Sequence, residues 1–255
     1  MFLNLRDTAI SKIKQILKRE KIRDDFDWQL YHYHYLGELA ELQKLPTQKI
    51  SKQDYVFESS NLILRKNILP IHPNHRLLYK TILQLQPKSV MEIGCGGGDH
   101  LSNLNILYSE LNIFGCDLSE EQLSFLKKRS PHLSDQVKKL DITLPHSSQT
   151  PVVDACYTNA VIMHIKTGNG HFVALSNIFK IATKYIVLME NWTAHNFMND
   201  IKFLWEGGMI PWNKLYFYYR RAPEYGNKPH LMVISAEPLS YEPLTNYDIL
   251  LEGIK

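Results

Sequence analysis

Cysteine is scarce in this chain: three in 255 residues, at positions 95, 116 and 156, with no C-x-x-C pair. That set excludes a disulfide framework and the paired thiolates of a structural zinc site or a dithiol redox centre. All three fall in or beside apolar runs, as expected of reduced, buried thiols. No apolar run reaches the roughly 18 residues of a membrane-spanning helix. The opening Met1-Phe-Leu-Asn-Leu-Arg6 is too short for the apolar core of a signal peptide, so a cytoplasmic location is expected. Charge of one sign is also missing. The net value is +3, and lysine and arginine form no dominant run, which argues against a protein that tracks a nucleic-acid duplex. The local series Lys12, Lys14, Lys18, Arg19, Lys21, Arg23 reads as a solvated helix face. What is present, 44% apolar and 22% charged residues, suits an ordinary globular protein with one sizeable core.

The most informative stretch is Lys88-Ser-Val-Met-Glu-Ile-Gly-Cys-Gly-Gly-Gly98. Val90, Met91 and Ile93 make a short buried strand, and Gly94, Gly96, Gly97 and Gly98 remove the Cβ atoms that would hold a ligand away from the backbone. The third glycine stands one place early for the dinucleotide fingerprint, and Asp99 occupies the fingerprint's last glycine position. Glu92 repels a phosphate and suits a cationic amino group. A second apolar run, Leu111-Asn-Ile-Phe-Gly-Cys-Asp117, ends in an acid 23 positions after Gly94. An acid ending the second strand of a βαβ unit can accept both hydroxyls of a ribose. Ser119 and Gln122 form a capping box for the next helix, so Asp117 is not needed to start it.

The combination E-x-G-x-G-x-G followed by Asp117 resembles the class I S-adenosylmethionine (SAM) dependent methyltransferases. The resemblance spans about residues 76–255. It implies a Rossmann-like α/β fold: a seven-stranded sheet, mostly parallel with an antiparallel last strand, helices on both faces, and the ligand at the carboxyl ends of the first strands. The implied cofactor is SAM, with S-adenosylhomocysteine (SAH) as product, held by Glu92, Gly94, Cys95, Gly96, Asp117, Leu118, Asp141, Ile142 and Asn159. Asp141 ends the run 136–142 and is expected near the adenine amino group, with an apolar neighbour on the ring. Val152–His164 reads as the fourth strand, 184–190 as the fifth, 214–219 as the sixth and 230–235 as the seventh. Phe197, Ile201, Leu204 and Trp205 mark a helix between the fifth and sixth.

Residues 1–75 differ in texture and are expected to form a helical extension, with the SAM-binding domain over 76–255. Ile10, Ile13, Ile16 and Leu17 mark one amphipathic helix. Trp28, Tyr31, Tyr35, Leu39 and Leu42 mark an aromatic one, ended by Pro46. This extension suits a lid whose Tyr31 and Tyr35 meet substrate, and oligomer contact, as in a homodimer, is its alternative role. In the approach to the first strand, Arg65 is the candidate partner for the cofactor carboxylate.

For the chemistry, His164 just past the fourth strand is the best-placed general base, with Glu190 and His195 behind it. Asn191 and Trp192 are the candidate substrate contacts. Lys214, Tyr216, Tyr218, Arg220 and Arg221 make either a solvated strand edge or an anion contact. Among methyltransferases of the catechol type an acid near the end of strand four ligates magnesium. Neutral Asn159 stands there, so no metal is expected. The histidines His32 and His34 diverge on a helix, and His72 and His75 flank a helix start with Asn74 as its cap. The expected acceptor is a small polar molecule bearing a hydroxyl. The segment Glu190-Asn-Trp-Thr-Ala-His195 resembles bacterial methyltransferases of surface-polysaccharide pathways, which implies a sugar or sugar-phosphate. Nucleic acid is not an expected partner. Two other readings stay open: a SAM-binding regulator or partner subunit without turnover, and an NAD-dependent oxidoreductase.

Overall fold

The computed structural model describes residues 55–58, 61–64, 71–221 and 230–245. In chain order the elements are β1 (Tyr55–Glu58), β2 (Asn61–Leu64), α1 (Pro73–Leu85), β3 (Ser89–Ile93), α2 (Asp99–Leu107), β4 (Asn112–Asp117), α3 (Glu120–Arg129) and β5 (Val137–Lys139). They continue with β6 (Val153–Asn159), α4 (Gly170–Ile181), β7 (Ala182–Glu190), α5 (Phe197–Glu206), β8 (Tyr216–Arg221) and β9 (His230–Ser235). Seven strands form one sheet in the order β5-β4-β3-β6-β7-β9-β8. Neighbours from β5 through β7 pair parallel, while β9 runs antiparallel between β7 and β8. Six strands therefore point one way and the last strand of the chain points the other, as the sequence predicts.

The order reverses at β3, which has β4 on one side and β6 on the other. Chain leaving β3 and chain leaving β6 diverge to opposite faces, which opens a crevice at the carboxyl edge. Side-chain alternation along the strands builds two cores. Val90, Ala155 and Tyr157 pack with Leu78, Leu101 and Leu123 of α1, α2 and α3. Met91, Ile93 and Cys156 pack with Ile178 and Ile201 of α4 and α5. All three cysteines are buried and free.

Several local expectations change. Within the stretch expected to be helical, β1 and β2 pair as an antiparallel hairpin, Tyr55 opposite Leu64. The helix α1 opens before the expected domain boundary, and its cap is His72 rather than Asn74: the His72 Nδ1 accepts from the Asn74 amide at 3.3 Å, with Pro73 in the first turn. The strand β5 stops at Lys139, so Asp141 lies in the turn beyond it. The aromatic and basic segments around Tyr31 and Tyr35, and Arg65, lie outside the described residues.

Candidate active site

The turn after β3 is held from beneath by β4. The amides of Gly94 and Cys95 both donate to the Cys116 carbonyl, at 2.8 and 2.9 Å. Gly94 has φ +73°, and a Cβ there would collide with Val161 at the mouth of β6, so this position requires glycine twice over. The Asp117 carboxylate is anchored on both oxygens: Oδ2 accepts from the Gly96 amide at 2.8 Å and Oδ1 from the Ser119 amide at 2.8 Å. Burial pushes Asp117 up, and the amides of Ser119, Gly96 and Leu118 pull it back. Beside it Leu118 is 48% exposed, an apolar surface left open at the strand end. The Ser119 cap is present, its Oγ accepting from the Gln122 amide at 3.2 Å.

Arg129 at the end of α3, not singled out in the sequence, clamps the loop from the far side. It donates to Asp99 Oδ1 at 2.6 Å and to the Gly97 carbonyl at 3.2 Å. Glu92 is placed deeper than a surface contact: it is buried, and its Oε2 accepts from the Tyr157 hydroxyl at 3.0 Å across the β3–β6 pair. Burial holds its carboxyl well above the usual range, with the hydroxyl of Tyr157 working against that. Cys95 is buried and packs towards Gly115, so its thiol faces the core and only its backbone faces the loop.

Asp141 closes on its own turn, Oδ1 accepting from the Thr143 amide at 2.9 Å and from the Thr143 hydroxyl at 2.6 Å. The buried Asn177 of α4 fixes the same turn by donating to the carbonyls of Ile142 and Leu144, at 2.8 and 2.6 Å. Ile142 itself is nearly buried.

At the end of β6, Asn159 meets a histidine that sequence reasoning missed. Its Nδ2 lies 2.9 Å from His100 Nε2, and His100 Nδ1 lies 2.7 Å from the Tyr79 hydroxyl, which accepts from Asn103 at 2.9 Å. His75 stands edge-on to His100, ring centroids 4.5 Å apart. Burial lowers His100 to about 4 and His75 to about 3, so both are neutral at pH 7. The chain Asn103–Tyr79–His100–Asn159 fixes the amide at the mouth from inside the fold. The signal that could have found it is the histidine directly after Asp99, on the first turn of α2.

Glu190 takes a role other than the expected base. Buried at the end of β7, it accepts from the Thr158 hydroxyl at 2.6 Å and from the amides of Val161, Ile162 and Met163 at 3.1, 3.2 and 3.0 Å. These bonds clamp the turn after β6, where Ala160 is held at φ +55°, a conformation that a residue with a Cβ keeps only when its surroundings impose it. The turn ends at His164, which is partly buried at its rim. Burial, then the nearby Lys166 charge, lower the His164 pKa.

Trp192 is not at a surface: it is 1% exposed and packs edge-on to Tyr219, ring centroids 5.1 Å apart. As a core side chain it is no substrate contact. Asn191 closes a turn, accepting from the Thr193 amide and hydroxyl at 3.1 and 2.7 Å. His195 stacks on His171 with centroids 4.2 Å apart, next to Asp200. The expected site residues thus separate into those at the ends of β3, β4, β5 and β6 (Gly94, Gly96, Asp117, Leu118, Asp141, Asn159) and those on the turns after β6 and β7 (His164, Asn191, His195).

Residues 91–184 match the family model described as a methyltransferase domain. Over that stretch the chain is similar to a methyltransferase domain. Among solved structures, it resembles a TehB-like SAM-dependent methyltransferase from Corynebacterium glutamicum, at 13% identity, over 81% of this chain and 98% of that one, with TM-score 0.53. It also resembles the methyltransferase domain of a bacterial Hen1, CtHen1-CN, at 15% identity over 64% of this chain and 97% of that one, with TM-score 0.50. No curated protein matches it by sequence. Among the described residues no helix is long and apolar enough to cross a membrane.

The loop after β3 leaves open space with a polar group beside it. Gly96 leaves its Cβ direction open, the nearest atom being the Gln122 Oε1 at 3.9 Å. That oxygen is buried and accepts no hydrogen bond among the described residues, so an acceptor is left facing the loop.

Proposed function

We propose that the protein transfers a methyl group from SAM to a hydroxyl of a small polar molecule, with a sugar or sugar-phosphate as the acceptor class. The observation that carries the reading is the anchored Asp117. Its two oxygens are oriented by the Gly96 and Ser119 amides at the carboxyl edge of β4, with lone pairs left to accept a ribose diol. Leu118 is proposed as an apolar face for the adenine ring, and Asp141 as the group that reads the ring amino group. Gln122 Oε1 and the backbone of Gly94–Gly96 border the other half of the cofactor. Among residues outside the described ones, Arg65 is proposed for the cofactor carboxylate, and Tyr31 and Tyr35 for the acceptor.

Bound SAM supplies an already activated methyl on a sulfonium, so the protein's task is to align the acceptor and take up its proton. Alignment alone is worth several orders of magnitude in such displacements. The turn after β6 does this positioning: Glu190 clamps its backbone, His100 orients Asn159, and His164 sits on its rim with a pKa below the usual histidine value. His164 is therefore neutral at pH 7 and available to accept a proton from a hydroxyl. Asn191 and His195 lie at the same edge of the sheet, after β7, and are proposed to border the acceptor.

The test is transfer of the methyl of tritiated SAM to a panel of nucleotide sugars, glycan fragments and amines. Labelled sugar with formation of SAH supports the reading. Label in the amines alone would move the acceptor to nitrogen, and no transfer to any acceptor by protein that binds SAH would leave a cofactor-binding module without this activity.

A further inference from the structure

On the face packed by α4 and α5, two side chains that the methyl transfer does not account for, His171 and Asp200, come together with His195 from the proposed acceptor rim. His171 is the second residue of α4, His195 lies in the loop after β7, and Asp200 is in the first turn of α5. One ligand atom from each lies within 4.8 Å of the others, and all three are partly buried. His171 Nε2 is 3.9 Å from Asp200 Oδ2, too far for a hydrogen bond. Among the described residues the Asp200 carboxylate accepts no hydrogen bond at all, although its side chain is only 18% exposed. Among the described residues, a carboxylate facing two imidazoles with neither a hydrogen bond nor a lysine or arginine against it leaves negative charge short of a partner.

From this arrangement we infer that His171, His195 and Asp200 form a binding site for a divalent transition-metal ion. Two imidazole nitrogens and one carboxylate oxygen select Zn2+, Mn2+ or Fe2+ over Mg2+ and Ca2+, which prefer oxygen-only shells. Three protein ligands leave positions open to water or another oxygen donor. The two rings are stacked at 12° between planes, and parallel rings cannot share an ion lying in both planes. Binding therefore turns one imidazole about its Cβ–Cγ bond, a broad torsion. It also draws the ligand atoms in to about 3.3 Å, the separation set by metal–ligand bonds of about 2.0–2.1 Å in a tetrahedron. The exposed Thr193–Ala194 turn next to His195 leaves room for that movement.

The experiment reads metal uptake directly and needs neither SAM nor turnover, so it stands apart from the activity proposed above. Full-length protein stripped with chelator is titrated calorimetrically with Zn2+ and with Mn2+, and the X-ray absorption spectrum of the Zn2+-loaded wild type is recorded. One equivalent bound, a shell of imidazole nitrogen and oxygen, and at least tenfold weaker uptake in Asp200→Asn and His171→Gln variants that still bind SAH are expected. No uptake of either ion would overturn the inference, as would an all-oxygen or sulfur shell in the wild type, or variants that bind metal as tightly as it does.

Discussion

Asp117 is the residue on which the cofactor assignment turns, because both its oxygens are already oriented before any ligand arrives. Asp117→Ala is expected to weaken SAH binding by about 1–3 kcal/mol, the range for lost hydrogen bonds to a charged group, and calorimetry reads it. His164→Ala has the opposite signature: SAH affinity stays, and turnover falls by about a hundredfold or more. Since burial and Lys166 lower the His164 pKa, the wild-type rate is expected to fall at acid pH through a limb below the ordinary 6.5, and the alanine variant to lose that limb. The place of Asp117 at a strand end was legible from sequence, whereas its hold on the Gly96 and Ser119 amides was not, because the first of these joins two turns far apart in the chain. Glu190 and Trp192 carried the right chemistry but the wrong direction. Both stand at the carboxyl end of β7 as a ligand contact should, and only the three-dimensional packing reveals that they point inward.

Among the elements, the turn after β6 joins the two halves of the account. Four donors on one buried carboxylate hold Ala160 at positive φ and set the rim on which His164 stands. Glu190→Gln places an amide against the Met163 N–H and removes the charge that the other donors face. It is expected to lower the unfolding free energy by about 1–3 kcal/mol in urea titrations. An unchanged midpoint would show that the turn holds itself. The strands were legible for a related reason: strands buried on both faces read as continuous apolar runs, and β3, β4, β7 and β9 fall within a residue or two of where the sequence puts them, while β6 stops at Asn159, short of the expected run to His164. The short edge strand β5 was overestimated because Leu140 and Ile142 continue the apolar pattern past the point where pairing with β4 stops. The β1–β2 hairpin was missed, its Ser59-Ser60 connection carrying none of the glycine or asparagine of the commonest tight hairpins.

At the scale of the whole molecule, two cores share one sheet, and neutral histidines close the one beneath the cofactor loop. His100 and His75 have pKa values of about 4 and about 3 in the fold against 6.5 when unfolded. Between those limits the unfolded chain binds more protons, so their contribution to stability is complete above about 6.5 and is lost as pH falls towards 4. His100→Gln removes one of these groups. Its stability deficit relative to wild type, measured by urea unfolding, is expected to be largest at pH 7 and to narrow at pH 4 to 5. A deficit independent of pH would mean that His100 does not stay neutral in the fold. The polar chain behind this behaviour was not legible, since Tyr79, His100, Asn103 and Asn159 lie on three elements and meet only when α1 and α2 close over β6.

The central claim, that the crevice at the carboxyl edge of β3, β4 and β6 is a SAM site, is tested most directly by calorimetric titration of the purified protein with SAH, with NADH as the control ligand. Micromolar, one-to-one binding of SAH alone, weakened by about 1–3 kcal/mol on Asp117→Ala, is the predicted result. Binding of NADH in place of SAH, or of neither, would contradict it and leave the glycine turn a purely structural link between β3 and α2.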